Sequence, residues 1–153
     1  MRRLAFITAL LAALAAAAPA NGAVLFAKNC QSSCSNFSAS GKGWVSVVGN
    51  GAEWGSMSSG TIWVRGRSGQ SNVKGWVHGS GISWKYLGDN GWRATSKHAM
   101  TVNATGKFWV KLQGAGVQMC SVVDGSGQLA GLGTYSLNGK SHSWTTYATS
   151  LHF

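Results

Sequence analysis

Glycine and proline punctuation constrains this chain more than any other feature. Its 22 glycines fall between short runs rich in Val, Ile, Trp, Thr and Phe, and its single proline, Pro19, stands near the N-terminus. No window after residue 22 sustains a helical period. The runs alternate at period two and end in turn residues, which predicts antiparallel β-structure. Turns are expected at Gly49-Asn50-Gly51, Asp89-Asn90-Gly91, Asp124-Gly125-Ser126-Gly127 and Asn138-Gly139. Asn-Gly and Asp-Gly supply the positive φ that tight hairpins require. The expected fold is all-β, a small antiparallel sandwich or barrel.

The N-terminus has the form of an exported precursor. Arg2 and Arg3 precede an apolar run from Leu4 to Ala18, closed by Ala18-Pro19-Ala20. A positive start, a short apolar stretch and an Ala-x-Ala site make a cleavable signal peptide, and the run is shorter than a membrane anchor requires. Residues 1–20 are read as the leader, with cleavage after Ala20 or Gly22. The Ala-rich leader suggests a bacterial envelope and places the product in the periplasm or outside the cell. Cleavage after Ala20 leaves 133 residues, one domain in size, and loss of the two arginines lowers the net charge from +10 to +8. Residues 21–42, with Cys30 and Cys34, read as a loop or arm, and 43–153 as a single β domain. In an oxidising compartment one disulfide is expected among Cys30, Cys34 and Cys120, with three pairings open.

Within the β region a degenerate repeat recurs. Trp-Val occurs at 44–45, 63–64, 76–77 and 109–110, and three copies lead into Gly49-Asn50-Gly51, Gly79-Ser80-Gly81 and Gly114-Ala115-Gly116. The offsets of 30 and 35 residues are too irregular for a solenoid, so the units read as strand, glycine kink, strand. Trp54-Gly55 followed by Gly60-Thr61-Ile62-Trp63-Val64-Arg65 resembles one blade of the tectonin-type propeller lectins. It occurs once, and a propeller needs at least four blades. The pieces Gly106-Lys107-Phe108-Trp109-Val110, Gly114-Ala115-Gly116-Val117 and Gly131–Gly139 resemble small exported Gly-rich β-proteins of bacteria. That likeness implies fold and export and carries no activity.

Catalysis has little to work with. Glu53, Asp89 and Asp124 are the only carboxylates, and both aspartates sit among turn residues. His78, His98, His142 and His152 form no metal-ligand spacing, and no nucleophile-elbow signature occurs. The chain reads as a non-enzyme without metal or cofactor.

The pleat offers more, because residues two apart share a strand face. Around each Trp-Val pair the Val falls on one face and the Trp joins the cations on the other: Trp44 beside Lys42, Trp63 beside Arg65 and Arg67, Trp76 beside Lys74, Trp109 beside Lys107 and Lys111. A Val-lined core backed by a Trp, Lys and Arg face is expected. Flat π surface with positive charge suits sugars and anionic groups. The same pairing also packs as structure, a Lys stem covering a ring. The leading expectation is an exported module that binds acidic polysaccharide or another anionic envelope surface; export disfavours nucleic acid.

Two alternatives stand beside it. Leu151 and the terminal Phe153 resemble the last strand of a small outer-membrane β-barrel, although alternating runs of five to seven residues fall short of the roughly 9–11 a membrane strand needs. A self-associating envelope component would use the odd cysteine and exposed sheet edges for chain–chain contacts.

Overall fold

A computed structural model describes residues 36–68 and 70–153. The leader, its cleavage point, Cys30 and Cys34 lie outside these residues. The strands are β1 (Phe37–Met57), β2 (Ser59–Gly66), β3 (Val77–Gly79), β4 (Ser83–Gly88), β5 (Gly91–Ser96), β6 (Met100–Leu137), β7 (Lys140–Ser143) and β8 (Thr149–His152), with a 3-10 turn at Val73–Trp76. They form a single antiparallel sheet of eight strands, as the all-β expectation requires. The β domain begins at Phe37, so the arm expected over 21–42 yields its last six residues to β1.

Two strands, of 21 and 38 residues, dominate. β6 flanks β1 on both sides: Val47 pairs with Val110 on one side and Gly127 on the other. Beyond the first half of β6 lie β2, β5 and then β4 at the margin, through Val64–Val110, Val64–Trp92 and Tyr86–Trp92. β3 pairs with the start of β6, and β8 and β7 with its second half. Cys120 pairs with Ser38 and with Trp54, so one stretch of β6 meets both ends of β1 and the sheet winds on itself.

The winding explains the glycines. Gly49-Asn50-Gly51 and Asp124–Gly127, expected as turns, lie inside β1 and β6. They sit opposite each other, Gly49 against Gly125. Gly43 faces Gly114 on one side and Gly131 on the other. Gly43 and Gly131 have φ of 143° and 147°, and a Cβ on either would collide with the carbonyl oxygen across the strand gap. Paired glycines thus let two strands bend together without breaking their ladder. At Gly114-Ala115-Gly116 β6 carries one extra residue, a bulge, since Gly43 pairs with Gly114 but Gly41 with Val117. The other two expected turns form: Asp89 and Asn90 take φ of 45° and 56°, and Asn138 and Gly139 take 49° and 78°.

The core lies on the inner side of this coil. Leu129, Val45, Leu112, Ile62 and Ala94 form one row across neighbouring strands, all with 0% exposure. Val47, Val64, Phe108 and Val110 extend it. Each such aliphatic side chain contributes roughly 1.5–3 kcal/mol on burial. All four Trp-Val valines, Val45, Val64, Val77 and Val110, are buried as the pleat predicts.

Candidate tryptophan and cation face

The outward side of the same rows carries the expected aromatic and basic groups. Lys111 on β6 pairs with Ser46 on β1 and Trp63 on β2. Its Nζ lies 4.7 Å from the centre of the Trp44 ring and 5.2 Å from that of Trp63, a cation held between two indoles. Trp63 also pairs with Arg93 on β5, and Arg93 with Lys85 on β4. Two residues further along the same face, Trp109 pairs with Arg65, and its indole N–H donates to Ser46 Oγ at 2.9 Å. Trp44, Trp63 and Trp109 are half-buried, and none belongs to the aromatic residues packed against the core. Arg65 Nε is buried without a hydrogen-bond partner among the described residues. Such a group is rare enough to demand a reason.

Three depressions open on this face. Arg67, Lys107, Asn50 and Ser68 line one of about 350 Å³, where Arg67 N–H donates to Lys107 O at 2.8 Å. Ser46, Trp109, Ser126, Gln128, Ser150 and His152 line a second, of about 400 Å³. A third, of about 630 Å³, lies among Ser59, Ser83, Thr95, Ser96, Lys97 and His98. Their walls mix hydroxyl, amide and cationic groups, able to donate and accept toward a hydroxylated, acidic ligand.

Two of the residues expected here stand elsewhere. Residues 73–76 form a 3-10 turn rather than a strand, capped by Asn72 Oδ1 accepting from Gly75 N–H at 3.3 Å, so the period-two assignment fails for Lys74 and Trp76. Trp76 packs against the core. Lys74 Nζ sits 5.1 Å from the ring centres of both Trp84 and Trp92. Those rings meet edge to face at 6.1 Å, and Tyr86 lies 5.1 Å from Trp92. Trp92 pairs with inward-facing Val64, so this second cluster covers the margin of the core. The outward face therefore gathers Trp44, Trp63, Arg65, Arg67, Lys107, Trp109 and Lys111. It also gains Arg93, which the pairing of β5 with β2 places opposite Trp63 and which is absent from the face expected from the Trp-Val runs.

The carboxylates lie apart. Asp89 is in the β4–β5 turn, and Asp124 pairs with Asn50 in the sheet. Glu53 is fully buried and accepts from Ser121 Oγ–H, while its Oε1 has no hydrogen-bond partner among the described residues. Burial holds its carboxyl well above the ordinary value, partly countered by the Ser121 hydrogen bond. Cys120 is buried beside Ser38 and Trp54 in the ladder. No group of three or more metal-ligating side chains converges among the described residues.

No protein-family model matches the chain, and neither a curated protein nor a solved structure matches it significantly.

Proposed function

We propose that this protein is an exported, non-catalytic module that binds acidic carbohydrate of the cell envelope through its outward tryptophan and cation face. The observation that carries the reading is the Trp44–Lys111–Trp63 stack. Three half-exposed indoles stand on a sheet face outside the core, beside basic side chains and hydroxyl-lined depressions. Indole faces stack on sugar rings, cations meet acid groups, and Ser, Thr and Gln side chains serve hydroxyls. The net positive charge draws such partners by long-range attraction.

The test is binding to polygalacturonate at fixed ionic strength, measured by calorimetry. Trp63→Ala is expected to weaken it by roughly tenfold to thirtyfold, the usual effect of truncating an aromatic anchor worth about 2 kcal/mol. Trp84→Ala, in the cluster on the other side of the sheet, serves as the control and should bind normally. Equal affinity for the wild type and Trp63→Ala would refute the reading. Export is tested by fractionation of the source cells.

The outer-membrane alternative loses its original objection, since β1 and β6 run through their glycines and are long enough to cross a bilayer. It meets another. The core aliphatic side chains face inward and Lys111, Arg93 and Lys85 lie on the outward side, the reverse of a membrane barrel.

A further inference from the structure

β2 connects two of the three depressions. Its outward positions are Ser59, Thr61, Trp63 and Arg65, and the chain continues to Arg67. Ser59 lines the large hydroxyl-rich cleft with Lys97 and His98, and Arg67 lines the basic cleft with Lys107. Eight residue steps at about 3.3 Å separate these ends, roughly 25 Å along the strand. Trp63, with Lys111 against its ring, lies midway. The third depression adjoins Trp109, which pairs with Arg65, so it flanks the same line.

We infer that this face takes a linear acidic polysaccharide lengthwise along β2, from the Lys97 and His98 cleft over Trp63 to the Arg67 and Lys107 cleft. The inference rests on the carbohydrate-binding reading and adds the ligand's form: an extended chain held at several points. Charge complementarity commits the occupant. Lys97, Arg93, Arg65, Arg67 and Lys107 follow the line at intervals, whereas Asp124 is the one carboxylate in the strands beside it. Hydroxyl side chains gather at the Lys97 end of the line: Ser59, Ser83, Thr95 and Thr61, the last two joined Oγ1 to Oγ1 at 3.1 Å, with Arg93, Arg65, Arg67 and Lys107 beyond them. A hydroxylated chain bearing acid groups uses both sets, the Ser and Thr hydroxyls at the first cleft and the cations beyond it, whereas a run of phosphates needs only the cations. The acid group is a carboxylate or a sulfate ester, both of which meet this chemistry.

Linked contacts raise affinity together only while the ligand is long enough to engage them all. Calorimetry with a size ladder of oligogalacturonates, and in parallel of sulfated oligosaccharides, at fixed salt therefore reads the proposal directly. In at least one series affinity should climb with chain length, by on the order of a hundredfold from dimer to spanning chain, and then level off. The series that climbs names the acid group. The double variant Arg67→Ala with Lys107→Ala, both exposed, should lower long-chain affinity by about tenfold and make the climb level off at a shorter chain; Lys97→Ala should do the same from the other end. Affinity independent of length but still lost in Trp63→Ala would overturn the lengthwise chain and leave the binding reading intact. Binding by no oligomer and no polymer would overturn both. Tighter binding of a single-stranded oligonucleotide of equal length and charge would replace polysaccharide with nucleic acid.

Discussion

Replacement of Glu53 by Gln should flatten the dependence of stability on pH. Glu53 is a fully buried carboxyl whose proton affinity is raised by burial above the ordinary value of 4.5. Below 4.5 it is protonated in both the folded and the unfolded chain, and folding takes up no proton through it. Above 4.5 the unfolded chain releases the proton while the folded protein keeps it. Stability then falls by about 1.4 kcal/mol for each pH unit, until the folded carboxyl itself ionises. Each such unit lowers Tm by a few degrees for a domain of this size. Gln keeps the oxygen that accepts from Ser121 Oγ–H and has no proton to lose. Its amide N–H groups take the place of Oε1, which has no partner among the described residues, so the variant starts with a penalty of about 1–3 kcal/mol in acid. The two stability curves should converge and cross as pH rises. Thermal denaturation of wild type and Glu53→Gln, from pH 4 upward at constant ionic strength, checks this. Parallel curves would show that Glu53 is ionised within the fold and would refute the reasoning.

Gly43→Ala should destabilise by more than about 2 kcal/mol, because its Cβ meets the Ala130 carbonyl and the paired Gly131, whereas Gly139→Ala, in open space at φ 78°, should cost only about 1 kcal/mol. Denaturant titration of both separates collision from backbone strain. Lys111→Met keeps a stem over the rings but removes the charge between Trp44 and Trp63; the expected loss is about 0.5–2 kcal/mol, with a change in tryptophan fluorescence. Under the proposed export, cleavage should yield a chain that begins at Asn21 or Ala23, which intact mass and N-terminal sequencing will read.

Side-chain direction was legible wherever a strand was real. Val45, Val64 and Val110 point inward, with Trp44, Trp63 and Trp109 on the other side, because period two is a local property of the backbone. The turns at Asp89-Asn90 and Asn138-Gly139 were equally legible, since positive φ at successive residues has a local chemical signature. The Gly49 and Gly125 segments carry that composition yet run straight through β1 and β6. Their meaning depends on a partner about 75 positions away, which no local window contains. The same omission made the strands look too short for their real length. At Val73–Trp76 the alternation of Val73, Gly75 and Val77 suits a strand, but Asn72 caps a 3-10 turn and carries Lys74 to the other aromatic cluster. The face of Arg93 is set by the pairing of β5 with β2, which puts it opposite Trp63 and which no local window around Trp92 contains.

Packing alone accounts for part of the outward face: the Lys111 ammonium sits against two indoles and stabilises the sheet as it does so. It does not account for Lys85 directly opposite Arg93, two cations on one face of neighbouring strands next to Trp63. Like charges so placed destabilise a sheet by roughly 0.2–1 kcal/mol, and an acidic ligand would relieve the repulsion. Lys85→Glu decides between the two roles. The exposed edge position keeps a charge, so protection against edge pairing persists, and the new carboxylate faces Arg93. If the face serves stability alone, nothing but Tm should change. If it serves an acidic chain, the variant should melt a few degrees higher, by roughly 1 kcal/mol, and bind polygalacturonate several-fold more weakly. A variant that gains stability and binds as well as the wild type would remove Lys85 and Arg93 from the ligand's path. One that loses stability would show that the two cations do not repel across the strands.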